Sequence, residues 1–225
     1  MSTPMLLANG LTKDYGDRPA LLPVALRVER GEQIALIGHN GSGKSTFLKM
    51  AAGMLDPTGG TVSIAGHVAG SLRARALTSY LADTPTFYDD LSVWEHLEYV
   101  SRLHGVTDWE QPAADLLGSV GLFERSDDLP MTFSRGLRQK AAIALAFCRP
   151  FQLMLVDEPF VGLDARGREA LLEMLAGNIT RNATSIVATH ELGFAATAER
   201  MVVLADGEIV YDGPGSAEVA REHLG

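Results

Sequence analysis

The chain has 225 residues, 46% hydrophobic and 21% charged, with 28 acidic against 19 basic side chains and a net charge of −9. That profile supports one sizeable core and excludes a disordered chain. The acidic balance argues against a protein that grips nucleic-acid phosphates, and no nucleic-acid partner is expected. The single cysteine, Cys148, excludes an internal disulfide and suits a reducing compartment. The longest apolar run, Ala141 to Cys148, falls far below the roughly 20 residues that span a bilayer. The N-terminal MSTPMLLANGLTKDYG has no basic stretch leading into an apolar one, so no secretory signal is expected and the protein reads as soluble and cytoplasmic.

In chain order, Ala20 to Glu29 alternates apolar and polar residues, the mark of a half-buried antiparallel strand. Gln33 to Ile37 is a short apolar run of the kind found in a buried parallel strand. Helix formers follow from Lys44 to Met54, then a turn at Asp56 to Gly60 and a strand from Thr61 to Ala65. Ser92 and Glu95 form a capping box ahead of Val93, Leu97, Val100 and His104 at helical spacing, and Thr107 to Glu110 reads as a second box. With a third helix over Ser134 to Phe147, residues 84–149 read as a mainly helical insert. Strand–helix alternation then resumes. Leu153 to Val156 is a strand, Asp164 an N-cap for a helix striped by Leu171 and Leu175, and Thr184 to Ala188 a strand. Met201 to Ala205 and Glu208 to Tyr211 flank Asp206-Gly207, a hairpin signal, and Gly215 to Leu224 closes as a helix. The expected fold is α/β: a core over 1–83 and 150–225 with a largely parallel sheet, an antiparallel β layer, and the helical insert.

Gly38-His39-Asn40-Gly41-Ser42-Gly43-Lys44-Ser45 fits G-x-x-x-x-G-K-[ST] between an apolar strand and a helix, the setting a phosphate loop needs. Its glycines let successive backbone N–H groups turn toward one anion, and the helix adds its positive end. Gly38, Asn40, Gly41, Ser42, Gly43, Lys44, Ser45 and Thr46 are the candidate phosphate-binding residues, with Lys44 reaching the β- and γ-phosphates and Ser45 ligating Mg²⁺. Asp157 and Glu158 leave the carboxyl end of the strand that precedes them, where ligands of such sheets bind. Asp157 is the expected Mg²⁺ partner and Glu158 the expected general base for an attacking water. His67, His96 and His104 show no metal-ligand spacing, and Cys148 reads as a small core residue.

Taken together these residues resemble the ATP-binding subunits of ABC transporters. Phe133-Ser134-Arg135-Gly136-Leu137-Arg138-Gln139-Lys140 resembles that family's signature sequence, and Pro159 to Asp164 its D-loop. His190 resembles its switch histidine, and Tyr15 the aromatic that stacks on adenine. The resemblance implies that Ser134 and Gly136 meet the γ-phosphate held by a facing subunit, and that Asp164 lies at the interface between the two. The chain departs from the pattern twice. Arg135 stands where the usual L-S-G-G-Q has its first glycine, and Asp83 stands where a Mg²⁺-contacting glutamine is usual. A carboxylate at 83 can also hold Mg²⁺.

The expected function is therefore that of an ATP-hydrolysing motor subunit. It would pair head to tail with a second copy or a homologue around two ATP and drive a separate integral membrane permease. The resemblance places it on the inner face of the cell membrane through that permease, with the helical insert and the Asp83 segment as contact surface. The stretch from Tyr80 to Leu97, the signature variant and the short C-terminal end resemble subunits of bacterial exporters with separate permeases, so export is the expected direction. The alternative is a soluble ABC-type ATPase with a non-transport regulatory role; intact Glu158 and His190 argue against a module that hydrolyses little, and the single nucleotide-binding unit, the net charge of −9 and the lack of long insertions or basic extensions weigh against a soluble ABC protein working on ribosomes or DNA.

Overall fold

The computed structural model describes residues 3–16, 18–180 and 183–224. In chain order these form β1 (Leu6–Tyr15), β2 (Arg18–Val28), β3 (Gln33–Ile37), α1 (Lys44–Ala51), β4 (Gly59–Ile64), β5 (His67–Val68), α2 (Leu72–Leu77) and β6 (Thr78–Leu81). They continue with α3 (Val93–Leu103), α4 (Glu110–Val120), α5 (Arg135–Phe147), β7 (Leu153–Asp157), α6 (Ala165–Thr180), β8 (Thr184–Thr189), α7 (Leu192–Thr197), β9 (Arg200–Ala205), β10 (Glu208–Pro214) and α8 (Ala217–Leu224). Two compact units emerge: Met1–Tyr80 with Phe151–Glu158 and Ile179–Gly225, and Leu81–Pro150 with Pro159–Asn178.

The first unit carries two sheets. One is antiparallel, in the order β2-β1-β4-β5; the other runs β10-β9-β3-β8-β7-β6, with β9, β3, β8 and β7 parallel. Alternation along β3 divides the core between the two faces of the parallel sheet. Ile34 and Leu36 pack with Phe47, Leu48, Leu155 and the antiparallel sheet, whereas Ala35 and Ile37 pack with Ala195, Met201, Val203 and Ala220. Full burial of each such aliphatic side chain contributes about 1.5–3 kcal/mol, which fixes the register of the strand that ends in the phosphate loop. The expected α/β core with its antiparallel layer is what the chain forms.

Several elements differ from expectation. Strand β1 is unheralded in the sequence, because register shifts between Ala8 and Leu11 and a left-handed Gly10 (φ +55°) break its alternation. Helix α1 ends at Ala51, short of Met54. The expected capping box at Thr107 is replaced by Trp109, which occupies the N-cap position without a side-chain cap. Pro112 fits in that first turn because its missing N–H would have no helical partner there. The box at Ser92 forms: the Ser92 hydroxyl accepts from the Glu95 N–H at 3.2 Å, and the Glu95 carboxylate accepts from the Ser92 N–H at 2.7 Å. The Ser92 N–H, and after it the Ser92 hydroxyl, hold the Glu95 carboxyl below the usual carboxylate range.

The second unit is helical, built on α3, α4 and α5. Leu97, Leu117, Val120 and Ile143 are fully buried, and Trp94 meets Trp109 with ring centroids 5.1 Å apart. Cys148 caps α5 and is buried; burial pushes its thiol up to about 11. Among the described residues no helix is long and apolar enough to cross a membrane.

Candidate functional site

The phosphate loop joins β3 to α1, and its shape depends on glycines where the chain passes closest to its surroundings. A Cβ on Gly38 would lie 2.2 Å from the Leu204 carbonyl oxygen, and one on Gly43 (φ +106°) 2.8 Å from that of Ala20. The β9–β10 hairpin braces the loop from behind. Asp206 (φ +48°) and Gly207 (φ +84°) are both left-handed, as a type I′ turn requires. The Gly207 N–H donates to the Ser42 carbonyl at 3.1 Å, and the Leu22 N–H donates to the Gly207 carbonyl at 3.0 Å. The sequence marks that hairpin as a turn only. Its bracing role comes from tertiary contact.

Lys44 is buried and donates to the carbonyls of Gly38 at 2.6 Å and His39 at 3.2 Å. Its ammonium also lies 3.4 Å from Glu158 Oε1. That approach gives charge attraction without hydrogen-bond alignment, since Glu158 Oε1 and the Ser42 hydroxyl are buried side-chain oxygens that lack a hydrogen-bond partner. Buried oxygens of this kind are uncommon in folded proteins and call for a reason. The Ser42 hydroxyl is free to donate to an anion drawn into the loop, and Glu158 Oε1 to accept from a water beside it.

Strand β7 delivers the two acids. Asp157 is buried, and its Oδ1 accepts from the Ser45 hydroxyl at 2.9 Å; the Tyr80 hydroxyl lies 3.5 Å from Oδ2. Glu158 takes a left-handed backbone (φ +46°), and its N–H donates to the Ala188 carbonyl of β8 at 2.9 Å. A non-glycine residue in this region costs of order 1–3 kcal/mol, a cost usually met at working sites. The twist turns its carboxylate toward His190 at the end of β8, whose Nδ1 lies 2.8 Å from Glu158 Oε2. A carboxylate can only accept, so Nδ1 carries the proton. Nε2 is left for a second partner, and donates once the ring is an imidazolium. Tyr15 lies at the end of β1 with an exposed ring, 5.3 Å below the Lys13 ammonium.

The first unit thus brings Lys44, Ser45, Asp157, Glu158 and His190 together around one loop. Asp83, Ser134, Gly136 and Asp164 belong to the second unit. There, Ser134 caps α5 and accepts from the Leu137 N–H at 3.4 Å. Gly136 lets that helix approach the following loop, since a Cβ would lie 2.4 Å from the Gly162 carbonyl oxygen. Gln139 donates to the Pro159 carbonyl at 3.3 Å. Asp164 accepts from the Gly167 N–H at 2.8 Å, capping α6, and from Lys140 at 2.7 Å. The Lys140 bond, then the Gly167 bond, hold its carboxyl below the usual range. Asp83 pairs with Arg135 at 3.2 Å. Neither the Lys140–Asp164 nor the Asp83–Arg135 contact is signalled in the sequence, where the partners are 24 and 52 residues apart.

The chain has relatives among known proteins. Residues 21–161 match the family described as ABC transporter. The aliphatic sulfonates import ATP-binding protein SsuB 1 of Mesorhizobium japonicum is 33% identical, covering 94% of this chain and 83% of that protein. The SkfA peptide export ATP-binding protein SkfE of Bacillus subtilis is 29% identical, covering 92% of this chain and 88% of that protein. A solved ATP-binding subunit of an ABC transporter superposes with a TM-score of 0.90 at 31% identity, covering 98% of this chain and 99% of that one. The ATP-binding cassette MJ0796, solved as a post-hydrolysis dimer bound to ADP and Pi, gives 0.83 at 26% identity, covering 93% and 98%.

Proposed function

The chain is an ATP-binding ATPase of the ABC transporter family, and from that premise we propose that it pairs with a second ATP-binding subunit around two ATP molecules to drive a separate integral membrane permease. The observation that carries the proposal is the cluster of Lys44, Glu158 and His190 beside the Ser45–Asp157 pair. It supplies a phosphate cation, a base and a proton-bearing ring at one loop. The dimeric state of MJ0796 supports the pairing, and the names of the import and export relatives support transport.

In this reading Tyr15 stacks on adenine, and the N–H groups from Gly38 through Thr46 wrap the phosphates. Lys44 turns from its loop carbonyls to the β- and γ-phosphates. Ser45 and Asp157 are hard oxygen donors suited to Mg²⁺, and their hydroxyl–carboxylate contact marks the place. Mg²⁺ bound there would neutralise charge developing on the phosphates. Glu158 takes a proton from the attacking water as the bond from the γ-phosphorus to the bridging oxygen breaks, and ADP and phosphate leave. His190 holds Glu158 through Nδ1 and offers Nε2 to the γ-phosphate. Ser134 and Gly136 of the facing subunit meet the same phosphate, so ATP favours the closed pair and hydrolysis removes that preference.

The protein then sits on the inner face of the membrane through its permease. Export is the direction favoured by the stretch from Tyr80 to Leu97 and the signature variant. The test is Glu158→Gln. Binding is kept, turnover is lost, and ATP with Mg²⁺ shifts the protein from monomer to dimer on size exclusion. Persistent turnover would remove Glu158 as base, and a monomer at saturating ATP would remove the pairing.

A further inference from the structure

The two positions at which the chain departs from its family's pattern touch each other. Arg135 Nη2 lies 3.2 Å from Asp83 Oδ1, across 52 residues of sequence and within the second unit. Local helix chemistry opposes Arg135: it is the first residue of α5, whose first turn contains no acid, and a cation there faces the positive end of the helix dipole. A residue kept against its local preference points to a task beyond the helix. Stability is not that task. The side chains are 60% and 41% exposed, and ion pairs so exposed contribute little. The same exposure leaves the guanidinium free to exchange one oxyanion for another, since its planar fork fits carboxylate and phosphate alike. Both residues line a cavity of about 490 Å³ with Phe87, Met131 and Arg138, which gives the guanidinium room to turn.

We propose that Arg135 is a phosphate-contacting residue, exchanging Asp83 for the γ-phosphate of ATP on the facing subunit, and that Asp83 is the positioning residue that presents it. The assignment rests on the paired reading above and gives Asp83 a role as counter-ion in place of Mg²⁺ ligand. It also makes the loop after Asp83 responsive to nucleotide: when Arg135 turns to phosphate, Asp83 is released.

The charge swap D83R/R135D decides between this role and a structural strut. A strut is restored by the swap; a phosphate contact is not, because an aspartate then faces the phosphate. Arg135→Gln and the swap should each lower turnover, and raise the ATP needed for pairing in the E158Q background, by roughly tenfold or more, the worth of a charge-assisted hydrogen bond. Arg135→Lys, which keeps the charge and loses the fork, should fall between wild type and Arg135→Gln in both. Asp83→Asn should lower turnover about threefold, a surface-pair effect, with the Mg²⁺ requirement unmoved. Wild-type pairing in the swap, or a shifted Mg²⁺ requirement in Asp83→Asn, overturns the proposal. Those results are distinguishable from failure of the parent reading, in which E158Q itself, with Asp83 and Arg135 intact, does not pair with ATP.

Discussion

Lys44 shows how one side chain concentrates a site's chemistry. It is buried, yet its charge is met by two loop carbonyls and by Glu158. Lys44→Ala removes a cation whose charge-assisted bonds are worth about 1.5–3 kcal/mol, so ATP affinity in titration calorimetry should fall roughly 10- to 100-fold. Its place was legible because the Gly38 to Ser45 motif is local, a fixed spacing of residue types between a strand and a helix. The left-handed backbone of Glu158 was not legible, since nothing in Asp157-Glu158-Pro159 demands it. It accompanies a bond to the Ala188 carbonyl on the neighbouring strand, a partner 30 residues away in the chain. The partners of Asp83 and Asp164 were hidden for the same reason, being set by the packing of distant segments.

Helices and strands were legible to the extent that their signals were regular. The Ser92 box announces α3 because hydroxyl and carboxylate stand three residues apart and an apolar stripe follows. Ser92→Ala should cost about 1 kcal/mol in urea denaturation. The Glu95 carboxylate would still accept from the backbone N–H at 92, which keeps the loss modest. By contrast β1 is concealed by its own bulges at Ala8 to Leu11, and α2 and α7, each of six residues, are too short to show a period. The Lys140–Asp164 bond ties α5 to the start of α6 and carries a pH dependence with a definite sign. The Asp164 carboxyl is held below its usual range in the fold. Its stabilisation is therefore present above the unfolded value and is lost as pH falls through the folded one. The melting-temperature gap between wild type and Asp164→Asn should be widest at neutral pH and close as pH drops below about 4.

Across the whole molecule, the nucleotide loop with its acids and histidine belongs to one compact unit, and the signature helix with its charge pairs to the other. A protein built this way is best followed by a reporter of position, and one buried group makes that practicable. Cys148 is the chain's single cysteine, and its thiol is pushed up to about 11. At neutral pH only on the order of one thiol in ten thousand is the reactive thiolate, and the side chain is buried. Maleimide dyes will pass it by. A cysteine introduced at any exposed site can therefore be tagged selectively in the otherwise native chain, and a fluorophore placed on each unit in turn would follow the ATP cycle without first removing the natural thiol.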